Sequence, residues 1–337
     1  MIRLDTIKMS VDTDCILDYD SKAFSKNIFT PTDKESIKSL ILNPVSDIGI
    51  ARRLGINKIQ ILDERTIIQT SAKILKEKYM EGLNVDNVEF ALFQINNSEL
   101  IKIDMPTFFD SAVVHKFDLT ENLNITQPVN KYIRDIGLAC IKNKYKVESY
   151  QAGIVMKRKI SSRTERALFY SKVLEFRKKD ISTKELKKYI DVNDWENILR
   201  YEFNIRDKKT MRKYFHLPTS GDIFLKDILN SNFNPLSIIF DEMIIKDSTY
   251  EEQLLLNLYD SGLSQVQRAK EYYHLAMLKQ CNNDLDIVKT NFKSDKYSQA
   301  MIYYYMKQVE AVQIKHSRQQ IDAYNHIDEI KQLLNKN

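Results

Sequence analysis

Between Ile198 and Arg206 the chain alternates cleanly. Leu199, Tyr201, Phe203 and Ile205 fall on one side; Ile198, Arg200, Glu202, Asn204 and Arg206 fall on the other. A period of two marks a strand whose two faces see different surroundings. A sheet that is apolar below and polar above implies one face packed on helices and one open for chemistry. The expected class is therefore α+β, an antiparallel sheet with helices on one face.

Other segments fit this frame. Ser111 to Thr120 reads as a strand with Val113, His115, Phe117 and Leu119 on its apolar face and Val114, Lys116, Asp118 and Thr120 on the other. His115 reads as a core histidine. Asp118 stands in mid-strand, where Asp is disfavoured, and a residue placed against local preference is a site candidate. Ser149–Ile160 and Arg166–Phe176 read as a strand pair turned at Ser161–Thr164. Ile2–Val11 is a first strand, and 12–55 reads as irregular. Lys58–Leu62 and Thr66–Thr70 form a hairpin. Ala72–Met80 is a helix capped by Ser71 and stopped by Gly82. Val85–Ile95 and Val129–Asn143 are further helices. From Lys208 onward only helical periodicity appears, so the boundary to an all-helical C-terminal domain is placed near 217, giving domains 1–217 and 218–337. Tyr250–Tyr259 and Ser264–Lys279, joined by Asp260-Ser261-Gly262-Leu263, have the length and turn glycine of a helix-turn-helix, a pattern that other helical hairpins share.

At 337 residues the chain is long enough for two domains. No run of 18 apolar residues predicts a membrane span. The N-terminus lacks the basic-then-apolar layout of a signal peptide. Cys15, Cys140 and Cys281 have neither zinc spacing nor an even count, which points to a reducing, cytoplasmic setting. The net charge of +5 is modest, but Lys142 to Asp180 holds twelve Lys or Arg against four acids. Such a basic segment is the footprint of phosphate-backbone binding, or else a solvated surface without a partner. The candidate DNA contacts within it are Lys157, Arg158, Lys159, Arg163 and Arg166.

In the same segment Tyr170 precedes Lys172 by two residues, which places both on one strand face. A tyrosine oxygen can attack a phosphodiester in line and store the bond as a phosphotyrosine. The phenol, with a pKa of about 10, needs help to ionise. A nearby ammonium supplies it, or stabilises the pentacoordinate phosphate. A hard divalent ion, Mg²⁺ or Mn²⁺, would take oxygen ligands, for which Asp118 and Glu202 are the natural pair. Glu175 has an odd offset from Tyr170 and joins only if a bulge or strand end intervenes. Arg200, on Glu202's face, would contact phosphate or pair with that carboxylate. The plain alternatives are packing for Tyr170 and salt bridges to Lys116 and Arg200 for the two acids.

Tyr170-x-Lys172-x-x-Glu175, Leu199-Arg200-Tyr201-Glu202, Phe117-Asp118-Leu119-Thr120, Thr66 to Leu75 and the opening Met1-Ile2 with Thr6-Ile7-Lys8 together resemble the filamentous-phage gene II/X-type replication initiators and related plasmid rolling-circle Rep proteins. The likeness extends over most of residues 1 to about 230. It implies a Rep endonuclease-like fold. It also implies a metal-dependent DNA nicking-joining endonuclease in which Tyr170 is the nucleophile. Such an enzyme keeps the 5′-phosphate and leaves a 3′-OH primer for rolling-circle synthesis. Partners would be single-stranded or supercoiled origin DNA and a host helicase and polymerase, in the cytoplasm of a bacterial host cell. The His-hydrophobic-His metal motif of some relatives is missing. Competing readings are a non-catalytic origin-binding or repressor protein of the same fold, a mobilisation relaxase, and a helical interaction protein whose basic segment is incidental.

Overall fold

The computed structural model describes residues 1–29, 37–42, 51–140, 144–159, 165–177, 181–244, 265–281, 284–294 and 297–336. Its strands are β1 Leu4–Asp12, β2 Ile16–Tyr19, β3 Phe24–Phe29, β4 Ile37–Leu42, β5 Ile56–Leu62, β6 Arg65–Ser71, β7 Ile101–Ile103, β8 Val113–Asn124, β9 Tyr145–Tyr150, β10 Gly153–Arg158, β11 Arg166–Ser171 and β12 Ile198–Ile205. Ten of them form one antiparallel sheet in the order β3-β4-β5-β6-β1-β8-β12-β11-β10-β9, while β2 pairs with β7. The helices are α1 Val88–Asn96, α2 Met105–Ser111, α3 Val129–Ala139, α4 Lys172–Phe176, α5 Ile181–Leu186, α6 Lys208–Phe215, α7 Leu225–Leu229, α8 Leu236–Met243, α9 Gln265–Gln280, α10 Leu285–Ser294 and α11 Gln299–Lys336. The protein is α+β, with C-terminal helices.

Strand β12 lies between β8 and β11, and its alternation sorts the two faces as its sequence requires. Leu199, Tyr201, Phe203 and Ile205 are all buried. On that face Phe169 stacks on Tyr201 with ring centroids 4.4 Å apart and an interplanar angle of 8°. Phe240 of α8 meets both edge-on. Phe215 and Tyr214 of α6 close the same layer against Phe117 and Phe203. Each such aromatic pair contributes about 0.5–1.5 kcal/mol beyond the area it buries.

The opposite face differs from expectation in being partly covered. Tyr79, Phe176 and Trp195 form an aromatic cluster, and the Tyr79 ring lies 5.4 Å from the Arg200 guanidinium. The helix expected over Ala72–Met80 is a 3-10 segment, Ala72–Glu81, broken at Lys76, whose φ of 54° and ψ of −111° fit no helix. Ser71 does not cap it; its hydroxyl donates to the Gly55 carbonyl at 3.2 Å. Residues 12–55, read as irregular, contain β2, β3 and β4. Their residues alternate too weakly to show a face.

Two compact units are seen. One takes residues 1–133, 142–242 and 333–337; the other takes 134–141 and 243–332. Residues 218–242 belong with the sheet, so the boundary expected near 217 falls inside the first unit. This follows from α8, whose Phe240 packs on the sheet. Within the second unit Leu275, Leu278, Val288, Phe292 and Val309 join α9, α10 and α11 in one core. His326 Nδ1 lies 2.7 Å from the buried Asp135 carboxylate. The first helix and turn of the proposed helix-turn-helix lie outside the described residues. Among those residues no helix is long and apolar enough to cross a membrane.

Candidate active site

Cross-strand register decides which side chains meet. Tyr170 is opposite Arg200, Leu168 opposite Glu202 and Arg166 opposite Asn204. On the far side of β12, Arg200, Glu202 and Asn204 face Asn122, Thr120 and Asp118. Opposed residues in an antiparallel pair share a face. Tyr170, Arg200 and Glu202 therefore stand together on the polar face.

Strand β11 ends at Ser171, whose side chain accepts from the Leu174 amide and starts α4. Lys172 is thus the first residue of a helix, not the continuation of a strand. One helical turn carries Glu175 back to it: Lys172 Nζ donates to Glu175 Oε2 at 2.6 Å. The strand end is the condition under which Glu175 was expected to join. Lys172 Nζ also donates to Tyr79 Oη at 2.6 Å and lies 3.4 Å from Tyr170 Oη. The Tyr170 hydroxyl donates to Glu202 Oε1. Arg200 Nε donates to the same Glu202 oxygen at 2.7 Å, Nη2 to Asp5 and Nη1 to Asn122 Oδ1 at 3.3 Å.

The cluster is deeply buried, and its protonation follows from that. Burial, with the Asp5 charge added, pushes Glu202 up to about 7 against the pull of Arg200 and Lys172. Burial and the Glu202 carboxylate hold the Tyr170 phenol well above its ordinary value. Burial and the Arg200 cation lower Lys172. Burial alone would raise Glu175, but the Lys172 ammonium outweighs it and leaves the carboxyl below its ordinary value. Tyr170 is held well above Glu202, so the proton of their hydrogen bond rests on the phenol and Glu202 is the acceptor.

Two partners were not foreseen. Asp5 enters through a bulge: β1 advances from Leu4 to Thr6 while β8 moves only from Leu119 to Asp118. The extra residue breaks the alternation and turns the Asp5 carboxylate towards Arg200. Tyr79 arrives on the broken 3-10 segment. Neither carries a local sequence signal beyond a polar group beside an apolar run.

The other expected site residues are placed as follows. Asp118 is opposite Asn204, which donates to it at 2.6 Å; burial and the Asp5 charge push it up to about 6. Arg200 is fully buried and committed to its three partners, so it builds the site instead of facing DNA. Arg166 and Lys157, the latter paired with Glu148, line a cavity of about 380 Å³ whose wall also holds Glu148, Tyr170, Glu175 and Glu202. Arg158 pairs with Glu165 at 2.8 Å, and Lys159 is exposed. Arg163 lies outside the described residues. His115 Nε2 is 2.8 Å from Ser10 Oγ, and burial lowers its pKa.

The three carboxylates expected to hold a metal each have a protein partner: Glu202 with Tyr170 and Arg200, Glu175 with Lys172, Asp118 with Asn204. Among the described residues no three His, Cys, Asp or Glu side chains converge closely enough to hold an ion. Positive charge at the phenol comes from Arg200, which pulls its pKa down, and from Lys172, whose Nζ lies 3.4 Å from Tyr170 Oη.

Gly153 sets how closely β10 approaches Tyr170. It is opposite Tyr170 in register, and a Cβ there would stand 2.0 Å from the Phe169 carbonyl oxygen and 2.6 Å from Tyr170 Cβ. Gly153→Ala is expected to force the strands apart and destabilise the first unit by about 1–3 kcal/mol. Urea denaturation checks this; an unchanged midpoint contradicts it.

Comparison with protein-family models gives no match, and comparison with curated proteins gives none.

Proposed function

We propose that the protein is a Rep endonuclease-like DNA nicking and joining enzyme that initiates rolling-circle replication, with Tyr170 as its nucleophile. One observation supports this most: the Tyr170 hydroxyl donates to Glu202 and lies 3.4 Å from the Lys172 ammonium, at the wall of a cavity bearing Lys157 and Arg166.

In this reading a DNA phosphate enters between the cavity cations and Tyr170. Glu202 takes the phenol proton as Tyr170 Oη forms its bond to phosphorus. Lys172 stabilises the charge that gathers on the phosphoryl oxygens. The bond from phosphorus to the 3′-oxygen breaks, and that oxygen takes a proton from water. The products are a 5′-phosphotyrosine and a free 3′-OH, and the reverse steps rejoin the strand. Arg200 and Asp5 hold Glu202 in place and touch no DNA.

A DNA-binding protein of the same fold without catalysis is the second reading. It is favoured by the exposure of Tyr170, only 4%. A denaturing gel separates the two. The protein is mixed with labelled single-stranded oligonucleotides tiled across the element that encodes it, with the Mn²⁺ that the resemblance implies, beside Tyr170→Phe. A covalent band lost in Tyr170→Phe is expected. Binding to the tiles without any adduct would transfer the protein to the second reading.

A further inference from the structure

Helix α11 is apolar on two sides. Ile302 and Val309 are buried in the core of the second unit. On the outer side of the same stretch Tyr303 is 65% exposed and Ile314 is 53% exposed. Between these two, Lys307 and Glu310 are exposed as well. A helix that had only to close its own unit would present polar side chains outward. Here two large hydrophobes bracket two opposite charges.

The four residues follow one another at steps of four, three and four. With 3.6 residues per turn they fall within about 30° of one line along the helix, the spacing of an a/d seam. The steps are the same read in either direction, and so is the order: hydrophobe, charge, opposite charge, hydrophobe. Two such seams laid antiparallel, with a two-fold axis level with the midpoint of Gln308 and Val309, set Tyr303 against Ile314 and Lys307 against Glu310. The symmetry makes each contact twice. Lys307 is held on this face, its Nζ 5.0 Å from the Tyr303 ring centroid. Ala300 and Ala311, exposed beside the seam, let a second helix come close. One cation and one anion cancel, so the seam has no net charge to offer a phosphate backbone.

We propose that α11 carries a self-complementary seam, Tyr303-Lys307-Glu310-Ile314, through which two copies of this chain pair antiparallel. The seam is about 18 Å long. A single helix face of that length falls short of the roughly 800 Å² per partner of a standard interface, so the dimer is weak and depends on concentration. The inference does not rest on the chemistry read at Tyr170, and Tyr170→Phe should dimerise like the wild type.

Sedimentation velocity of the full chain tests it. Between low and high micromolar concentration the wild type should shift from monomer to dimer. Lys307→Glu sets two acids against each other across the seam, and Glu310→Lys sets two cations. Each alone should weaken the dimer about tenfold or more, because like charges then oppose across the interface. An equal mixture of the two variants should pair again as a heterodimer, since every contact is once more between opposite charges. The double variant Lys307→Glu with Glu310→Lys should pair again with itself. A chain that stays monomeric throughout, a dimer indifferent to the single swaps, or swaps that neither the mixture nor the double variant rescues would overturn the seam. Loss of gel-shifted DNA in Lys307→Glu with self-association unchanged would give the face to DNA and overturn it too.

Discussion

Replacing Arg200 with Met is expected to destabilise the first unit by about 3–5 kcal/mol, the usual effect of removing one partner from a buried ion pair. Arg200 has no exposed surface and binds Asp5, Glu202 and Asn122 at once. Methionine replaces much of the stem but none of the charge. Two carboxylates would then face each other beneath the Tyr79 ring with one cation fewer. Asp5 now titrates below its ordinary value, because Arg200 and Lys172 outweigh its burial. A carboxyl lowered on folding stabilises the fold above its unfolded pKa, and that contribution is lost as pH falls through the folded value. In Arg200→Met the Asp5 contribution shrinks and the difference from wild type is greatest near neutral pH. Chemical denaturation at pH 7 reads it. A loss below about 1 kcal/mol would mean that the cluster tolerates an unpaired carboxylate, against the expected range.

Glu202→Gln is expected to slow adduct formation by about 10²–10⁴-fold, the range for a lost general base. The amide can still accept from Tyr170 but cannot take its proton. In the wild type the single-turnover rate should rise with pH through about 7, because Glu202 must be ionised to act. The variant should lose that rising limb. Stability gives a second, independent reading. Glu202 is raised from an ordinary value of 4.5 to about 7, so between those limits the folded state holds more proton than the unfolded chain. The slope of unfolding free energy with pH is then negative, and Glu202 makes the fold less stable as pH rises across that window. Glu202→Gln removes this loss, so its stability should fall less between pH 5 and pH 8. A rate profile shared by both proteins would assign the base elsewhere.

How much of this was legible in the sequence depended on how far each residue's role was local. The alternation of Leu199 to Ile205 fixed both faces of β12, because a period of two survives wherever a strand is half-buried. Glu202 followed from that face, whereas Tyr170 was read from its spacing to Lys172 and from the resemblance to the replication initiators. Lys172 was assigned to the right neighbour for the wrong reason: it reaches Tyr170 from the start of α4, not along the strand. Glu175 required a strand end, and Ser171 supplies it as a helix cap. Asp5 and Tyr79 stayed hidden because a bulge and a kink at Lys76 place them, and neither leaves a periodic trace. Asp118 was paired with Glu202 on the strength of two polar faces, whereas register sets it against Asn204. The boundary was placed near 217, within the helical periodicity that begins at Lys208, yet α8 still packs Phe240 on the sheet.

The central claim is that Tyr170 carries the DNA, and peptide mapping of the covalent complex tests it most directly. The adduct made on a tiled oligonucleotide is digested with nuclease and protease, and the tyrosine bearing the residual nucleotide is read by tandem mass spectrometry. The account predicts the label on Tyr170, in the peptide that spans β11 and α4. A label on Tyr79, the other phenol bound to Lys172, or on any tyrosine of the second unit would contradict it.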